Sequence, residues 1–413
     1  MQRERAARLL KQFQGRTALV VGDVIFDNFV YGAVERISRE APAPILSERR
    51  REAMLGGAGN LARNTVSLGG EVRLVSVVGD DAEGRAAADL ARKACGEAAS
   101  MIRAAGRVTP SKIRYVSNTQ QMFCVDRNPE PGLAQPVQDE VLSAVERALP
   151  GADVVILSDY GRGVLQADLI ARIIAAARSQ GVAVSVDPRG SDFTRYDGAR
   201  VIKPNADELA AETGLPVTSD GEAEAALAAL KARLPETEAL LVTRGAAGMC
   251  LLDGQGRFDH HRSRSRAVFD VSGAGDTALA ALSLGLAGGL ALAEAMALAD
   301  LAAGVAVGKP GTAVVAPEEI LEDAEGGAEA PDWRVMDRAD AAALCRRWRE
   351  DGLVVGFTNG CFDILHPGHL AVLRHAATAC DRLVVGLNSD ASVRRLKGAD
   401  RPVNDAWTRA VML

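Results

Sequence analysis

A chain of 413 residues is long enough for two or three domains, each with its own core. Its 48% apolar and 25% charged residues exclude a disordered polymer, and a net charge of −6 without a dominant basic face excludes nucleic acid as the expected partner. Six scattered cysteines with no C-x-x-C pair exclude a disulfide framework or zinc ribbon and point to a reducing cytoplasm.

The start, "MQRERAARLLKQFQG", lacks the apolar core of a signal peptide. From there, short β-branched runs alternate with Ala/Leu-rich helical patterns. "TALVVGD", "EVRLVSVVGD", "ADVVILSDYG", "GVAVSVDP", "ARVIKPN" and "EALLVTRG" read as buried strands ending in polar or glycine residues. Continuous apolar runs joined by helical crossovers predict an α/β fold, a parallel sheet flanked by helices on both faces. Ligands bind beyond the carboxyl ends of such strands, so the polar tips are the candidate sites.

"APAPILSERRREAMLGG" and "SKIRYVSNTQQMFCVDR" depart from this pattern and alternate like half-exposed strands. Residues at about 31–55 and 110–127 therefore form either a small β lid over the strand tips or surface hairpins. "ALAALSLGLAGGLALA" is too short for a membrane span, is broken by Gly-Gly and runs into Glu294; it predicts buried helices and no membrane partner. The acidic, Gly- and Pro-containing "PEEILEDAEGGAEAPDW" predicts a linker over 318–338, closing a first domain at 1–317. After it a helix, the strand "GLVVGFTNG", another helix and the strand "DRLVVGLNSD" open a second α/β unit over 339–413.

"FDVSGAGDTALAAL" combines a strand-like entry, a glycine loop and a helix. Gly273 and Gly275 let backbone amides at the helix start approach an anion, and Asp276 sits at the same positive end. A carboxylate beside an anion hole suits phosphoryl transfer, taking the acceptor hydroxyl's proton or orienting that hydroxyl. Standing alone, the motif reads rather as a glycine turn before an ordinary helix-start aspartate. In "KPNADE", Asn205 and Glu208 fit a helix capping box, compatible with an anion site at the same helix start.

Three segments in order, "VGDVIFD", "GGAGNLARN" and "DVSGAGDT", resemble the signatures of the ribokinase-type sugar kinases, the minor-phosphofructokinase superfamily. The resemblance implies a ribokinase-like fold with Asp276 as catalytic base and Gly273, Ala274 and Gly275 as the anion hole. It implies sugar binding by Asp23, Asp27, Gly56, Gly57, Asn60 and Asp159. ATP would be held by Lys203, Asn205, Ala206, Asp207 and Glu208, and by Thr243, Arg244, Gly245 and Gly248 of "TRGAAG". Glu208 would hold magnesium indirectly; a monovalent cation is left open, and a homodimer through the lid is implied.

"TNGCFDILHPGHL" carries four competent metal ligands, Cys361, Asp363, His366 and His369, without the paired spacing of a structural zinc site. Alternatively, Pro367 opens a helix, and His366 and His369, three apart, flank its start and neutralise a phosphate there. The strand delivers Thr358 and Asn359 to the same edge. The stretch resembles the H-x-G-H signature of cytidylyltransferase-like nucleotidyltransferases, which adds Asp390 and Lys397 of "GLNSDASVRRLKG" as nucleotide contacts.

The pairing resembles the bacterial bifunctional enzymes that unite a heptose-7-phosphate kinase with a heptose-1-phosphate adenylyltransferase of lipopolysaccharide precursor synthesis. That resemblance implies ATP and heptose phosphates as small-molecule partners. A substrate already carrying phosphate needs cations near the lid, where Lys112, Arg114 and Arg127 lie. Cys124 stands where the resemblance implies an arginine, so no substrate contact is carried over there. The sequence stops at "WTRAVML", before a Ser/Thr-rich nucleotide motif that the resemblance implies; kinase activity with little adenylyltransferase activity is the expectation.

Overall fold

A computed structural model describes the chain apart from residues 2, 39–40, 118–119, 131, 264–269, 310, 327–335, 337, 351, 366 and 399–400. It divides into two units, Met1–Ala330 and Pro331–Leu413. In chain order the first unit has strands β1 (Thr17–Gly22), β2 (Val24–Ile37), β3 (Pro44–Gly57), β4 (Glu71–Gly79) and β5 (Ala99–Ala104). There follow β6 (Ser111–Ser117), β7 (Gln120–Arg127), β8 (Val154–Ser158), β9 (Ala183–Asp187), β10 (Val201–Ile202), β11 (Ala239–Thr243), β12 (Met249–Asp253) and β13 (Phe258–His261).

Nine of these form one sheet in the order β13-β12-β11-β10-β9-β8-β1-β4-β5. From β11 to β5 neighbouring strands run parallel, as the crossover pattern predicts. The sheet departs from a purely parallel one at its edge, where β12 and β13 are antiparallel. The turn Asp253–Gly256 between them is too short for a crossover helix, so only a hairpin is available. Successive β1 residues feed opposite cores: Ala18 and Val20 join Leu61, Leu279 and Leu298, whereas Leu19 and Val21 join Ile173, Leu227 and Leu230. Burial on both faces explains why the strands read as unbroken apolar runs.

The segments expected as a lid or as surface hairpins form a second sheet, β3-β2-β6-β7. It begins at Val24 rather than near residue 31, because the chain leaves β1 at Asp23 and continues straight into β2. The apolar run after residue 274 forms two buried helices, Ala274–Ala287 and Leu292–Ala306, tight enough that a Cβ on Gly285 would stand 3.2 Å from the Ala295 Cβ. Among the described residues no helix is long and apolar enough to cross a membrane.

The expected linker is corrected in its first half. Pro317–Gly326 is a helix whose Ile320 and Ala324 are buried, and the first unit runs to Ala330 instead of ending at 317. Proline at the first turn, Glu318 and Glu319 at the positive end and two apolar residues one turn apart make a helix of what composition alone labels a spacer. The remainder, 327–335 and 337, lies outside the described residues. The second unit pairs β14 (Val355–Gly360) in parallel with β15 (Arg382–Leu387), with helices Arg338–Glu350, Pro367–Thr378, Asp390–Lys397 and Ala406–Met412.

Candidate active site

Helix Ala274–Ala287 starts at Gly273, whose φ of 79° is left-handed. A Cβ there would also stand 2.7 Å from Asn60 Nδ2, so only glycine makes this turn beside Asn60. Asp276, 2% exposed, follows in the first turn. Its Oδ1 accepts from the Tyr160 hydroxyl and its Oδ2 from Asn60 Nδ2, each at 2.8 Å. Burial pushes the carboxyl up to about 7 and the Asp187 charge adds to this, while Asn60, Tyr160 and Lys203 oppose it. The group is therefore poised to exchange a proton near neutrality.

A cleft of about 530 Å³ opens at the tips of β8 to β11, with Tyr160, Asp187, Lys203, Glu208, Thr243 and Gly275 on its walls. Lys203 is 3% exposed; its Nζ lies 3.0 Å from Asp187 Oδ1 and 3.7 Å from where a Gly275 Cβ would be. A desolvated cation thus adjoins the amides of the helix start. Asn205 and Glu208 form the capping box expected from "KPNADE": Asn205 Oδ1 accepts from Glu208 N and Glu208 Oε2 from Asn205 N. Ala206 and Asp207 supply that helix's first turn and also line the cleft. Arg189, 3.1 Å from Glu208 Oε1, stands at its rim.

A second cavity of about 380 Å³ shares Thr243, Gly245, Val271 and Gly275 with the first. Its walls are mostly small and apolar, Ala278, Ala303 and Val307 among them, and Gly248 borders it. Asp300 is its buried carboxylate: Oδ1 accepts from Ser263, and Oδ2 faces His261 Nε2 at 3.5 Å. Arg244 lines the first cleft beside Thr243 and Gly245, and its guanidinium pairs with Asp220 at 2.7 Å and the Thr218 carbonyl at 2.8 Å, which anchors the loop.

Three of the residues expected to bind sugar have partners within the protein. Asp23 is fully buried and accepts from the backbone amides of Tyr160, Arg162 and Val164, all at 3.0 Å; it staples the loop after β8 and has no free face. Asp159 accepts from Gly161 N, Tyr196 and Arg195, a second staple on the same loop. Asn60 holds the Asp276 carboxylate. Asp27 keeps its place at the lid: Gly56 lies against its carboxylate, and Arg114 Nη1 is 2.6 Å from Oδ1. Gly57, at φ 57°, carries the chain past the Asp23 carbonyl, into which a Cβ would collide. Lys112 is 3.6 Å from Asp126 and partly exposed, and Arg127 is 3.4 Å from Glu83.

In the second unit Thr358 and Asn359 end β14, paired with Val385 and Gly386. Pro367 opens the expected helix, and the His369 ring lies 5.2 Å from that of Phe362. His366 lies outside the described residues. Asp390 is partly exposed, and Arg409 Nη2 is 2.6 Å from its Oδ1. Lys397 occupies the last turn of Asp390–Lys397 and is exposed. Asp363 is taken from the metal set: Val403 N donates to it at 2.6 Å, and Arg401 Nε is 2.7 Å away. Among the described residues the group with metal-ligand spacing is Asp220, Cys250 and His260, where the Arg244 guanidinium already supplies the cation.

Tyr160, Asp187, Asp300 and Arg409 were not found from sequence. The strand-tip position of Tyr160 and Asp187, within "SDYG" and "VDPRG", was the available signal.

The family model for pfkB family carbohydrate kinases matches residues 16–319, and the cytidylyltransferase-like model matches residues 357–413. "Bifunctional protein HldE" of Caulobacter vibrioides is 47% identical over 98% of this chain and 84% of that protein. Its namesake from Gluconacetobacter diazotrophicus is 46% identical over 96% and 83%. Among solved structures, Arabidopsis thaliana ribokinase complexed with ribose and ATP is similar with a TM-score of 0.59 and 20% identity, covering 76% of this chain and 99% of that one. Escherichia coli phosphofructokinase-2 is similar with a TM-score of 0.64 and 18% identity, covering 76% and 100%. At such identities these structures speak for the fold alone.

Proposed function

Since the chain belongs to the pfkB carbohydrate kinases and, over nearly its whole length, to the bifunctional HldE proteins, we propose that its first unit phosphorylates D-glycero-β-D-manno-heptose 7-phosphate at O1 with ATP. To the second unit we assign adenylylation of heptose 1-phosphate, yielding ADP-heptose for the lipopolysaccharide core. The observation that carries the kinase half is Asp276, buried at a glycine-opened helix start beside Lys203 and gripped by two donors.

The reaction follows from that arrangement. Asp276 takes the proton of the O1 hydroxyl as oxygen attacks the γ-phosphorus, and ADP leaves with its electron pair. The amides of Gly273, Ala274 and Gly275, with Lys203, stabilise the charge spread over the moving phosphoryl oxygens. Small apolar walls with one buried carboxylate, Asp300, suit an adenine, whose exocyclic amine donates. Glu208 fits a magnesium held through water, since both its oxygens already accept, from Asn205 N and Arg189. Such an ion supplies neutralising charge on the phosphates.

Lys112 and Arg114 are assigned to the 7-phosphate, and Cys124, opposite Arg114 on β7, makes no such contact. The exposed Met122, Phe123 and Val125 on the outer lid strand support a homodimer through the lid. We place the enzyme in the cytoplasm, with ATP and sugar phosphates.

The test is phosphoryl transfer from ATP across a sugar-phosphate panel, with Asp276→Asn as control. Heptose 7-phosphate as the preferred acceptor and an inactive Asp276→Asn are expected; preference for another sugar phosphate overturns the substrate assignment. Pyrophosphate release from ATP and heptose 1-phosphate tests the second half: release that is lost in His369→Ala supports the assignment, and little or no release leaves kinase activity alone, as expected from the sequence.

A further inference from the structure

We infer that Tyr160 is the positioning residue of the kinase base: its hydroxyl fixes the plane of the Asp276 carboxylate so that the unshared lone pairs face the acceptor hydroxyl. The inference rests on the reading of Asp276 as that base.

The tyrosine is itself held from both sides. Its backbone N–H donates to Asp23 Oδ2 at 3.0 Å, and Asp159, the preceding residue, is anchored by Gly161 N, Tyr196 and Arg195. Its ring edge lies beside Gly57, 3.4 Å from where a Cβ would stand. The buried Asp23 carboxylate and two flanking staples therefore aim one phenol at one carboxylate oxygen. This gives a mechanistic purpose to the loop "SDYGRGV" that its glycines alone do not explain.

The hydroxyl acts as a donor only. Burial, and then the negative charge of Asp276, hold the phenol far above its ordinary pKa, so it stays protonated throughout the working range. The Asn60 amide nitrogen on the other oxygen is likewise a donor. A carboxylate offers about four lone-pair sites, so two donors from fixed directions leave two sites for the incoming hydroxyl. The other charged groups facing Asp276 are Asp187, which favours its protonated form, and Lys203, which favours the ionised form. A hydrogen bond from Tyr160 stabilises the ionised, proton-accepting form.

Tyr160→Phe keeps the ring and removes the donor. kcat is expected to fall roughly ten- to hundredfold, as for loss of one bond to a charged group, with KM for ATP within about twofold. The acid limb of kcat/KM moves to higher pH, because the ionised base has lost a partner. 3-Fluorotyrosine at position 160, a stronger donor, moves that limb the opposite way. A purely structural tyrosine gives no such opposed pair of shifts. If Asp276→Asn retains wild-type turnover, the base reading falls and this inference falls with it. If Asp276→Asn is inactive while Tyr160→Phe and the fluorinated protein reproduce the wild-type kcat and pH profile, this inference alone is overturned.

Discussion

Arg114 Nη1 lies 2.6 Å from Asp27 Oδ1, tying lid strand β6 to β2 at the residue the sugar signature singles out. Arg114 pairs with Phe29 in the ladder and places its guanidinium carbon 5.0 Å from the centre of that ring, so one side chain bridges both neighbours on that face. Burial pushes the Asp27 carboxyl up and Arg114 holds it down. Arg114→Ala therefore strands a buried carboxylate and costs about 3 kcal/mol of stability, read as a lowered melting temperature. Asp27→Asn in the same chain recovers part of the loss, because no charge is then left unpaired.

Lys112 is the more available lid cation, only 3.6 Å from Asp126 and partly exposed. Lys112→Ala is expected to raise KM for heptose 7-phosphate roughly tenfold, about 1.4 kcal/mol of binding, and to leave KM for ATP alone. Steady-state kinetics with each substrate varied decides it. An unchanged sugar-phosphate KM removes Lys112 from the 7-phosphate site.

Asp276 sets a pH dependence of both rate and stability. Its folded pKa is about 7 against an ordinary 3.8, so the stability it contributes is fully present below pH 4 and lost as pH rises through 7. Asp276→Asn removes that loss. The variant is expected to be inactive yet more heat-stable than the parent at pH 8, with the gap closing toward pH 4. Parallel melting curves across that range check the sign, and kcat/KM of the parent should rise with pH until about 7.

Gly273→Ala forces a side chain into a left-handed turn and against Asn60 Nδ2. The clash displaces Asn60 from the base, so kcat is expected to fall by roughly two orders of magnitude with the fold retained. Turnover together with circular dichroism separates this from global unfolding.

Arg409 is fully buried and donates to the carbonyls of Cys361, Asn388 and Asn404 and to Asp390. Arg409→Ala leaves four acceptors unsatisfied inside the second unit. Faster amide exchange in β14 and β15 is expected, with sugar phosphorylation unchanged.

Much of this molecule is legible locally. The parallel strands except β5, the buried helix pair after residue 274, the capping box at Asn205 and Glu208 and the helix opened by Pro367 follow from periodicity and backbone preference, which neighbouring residues encode. The turn at Gly273 is legible for the same reason: a glycine opening a helix predicts open amides whatever surrounds it. The helix of Pro317–Gly326 was missed because acidic composition outweighed two apolar positions whose meaning depends on a core to receive them.

Which carboxylate does what was decided only by tertiary structure. Asp23 and Asp159 just past strand ends, Asp27 within β2 and Asp276 at a helix start look alike in sequence, yet one is a staple for three amides, one anchors a loop, one pairs with arginine and one is held by an asparagine and a phenol. The partners that distinguish them come from far away in the chain, 216 residues for Asn60 and 116 for Tyr160 relative to Asp276. An aspartate's protonation and direction depend on burial and on the donors around it, and folding supplies both.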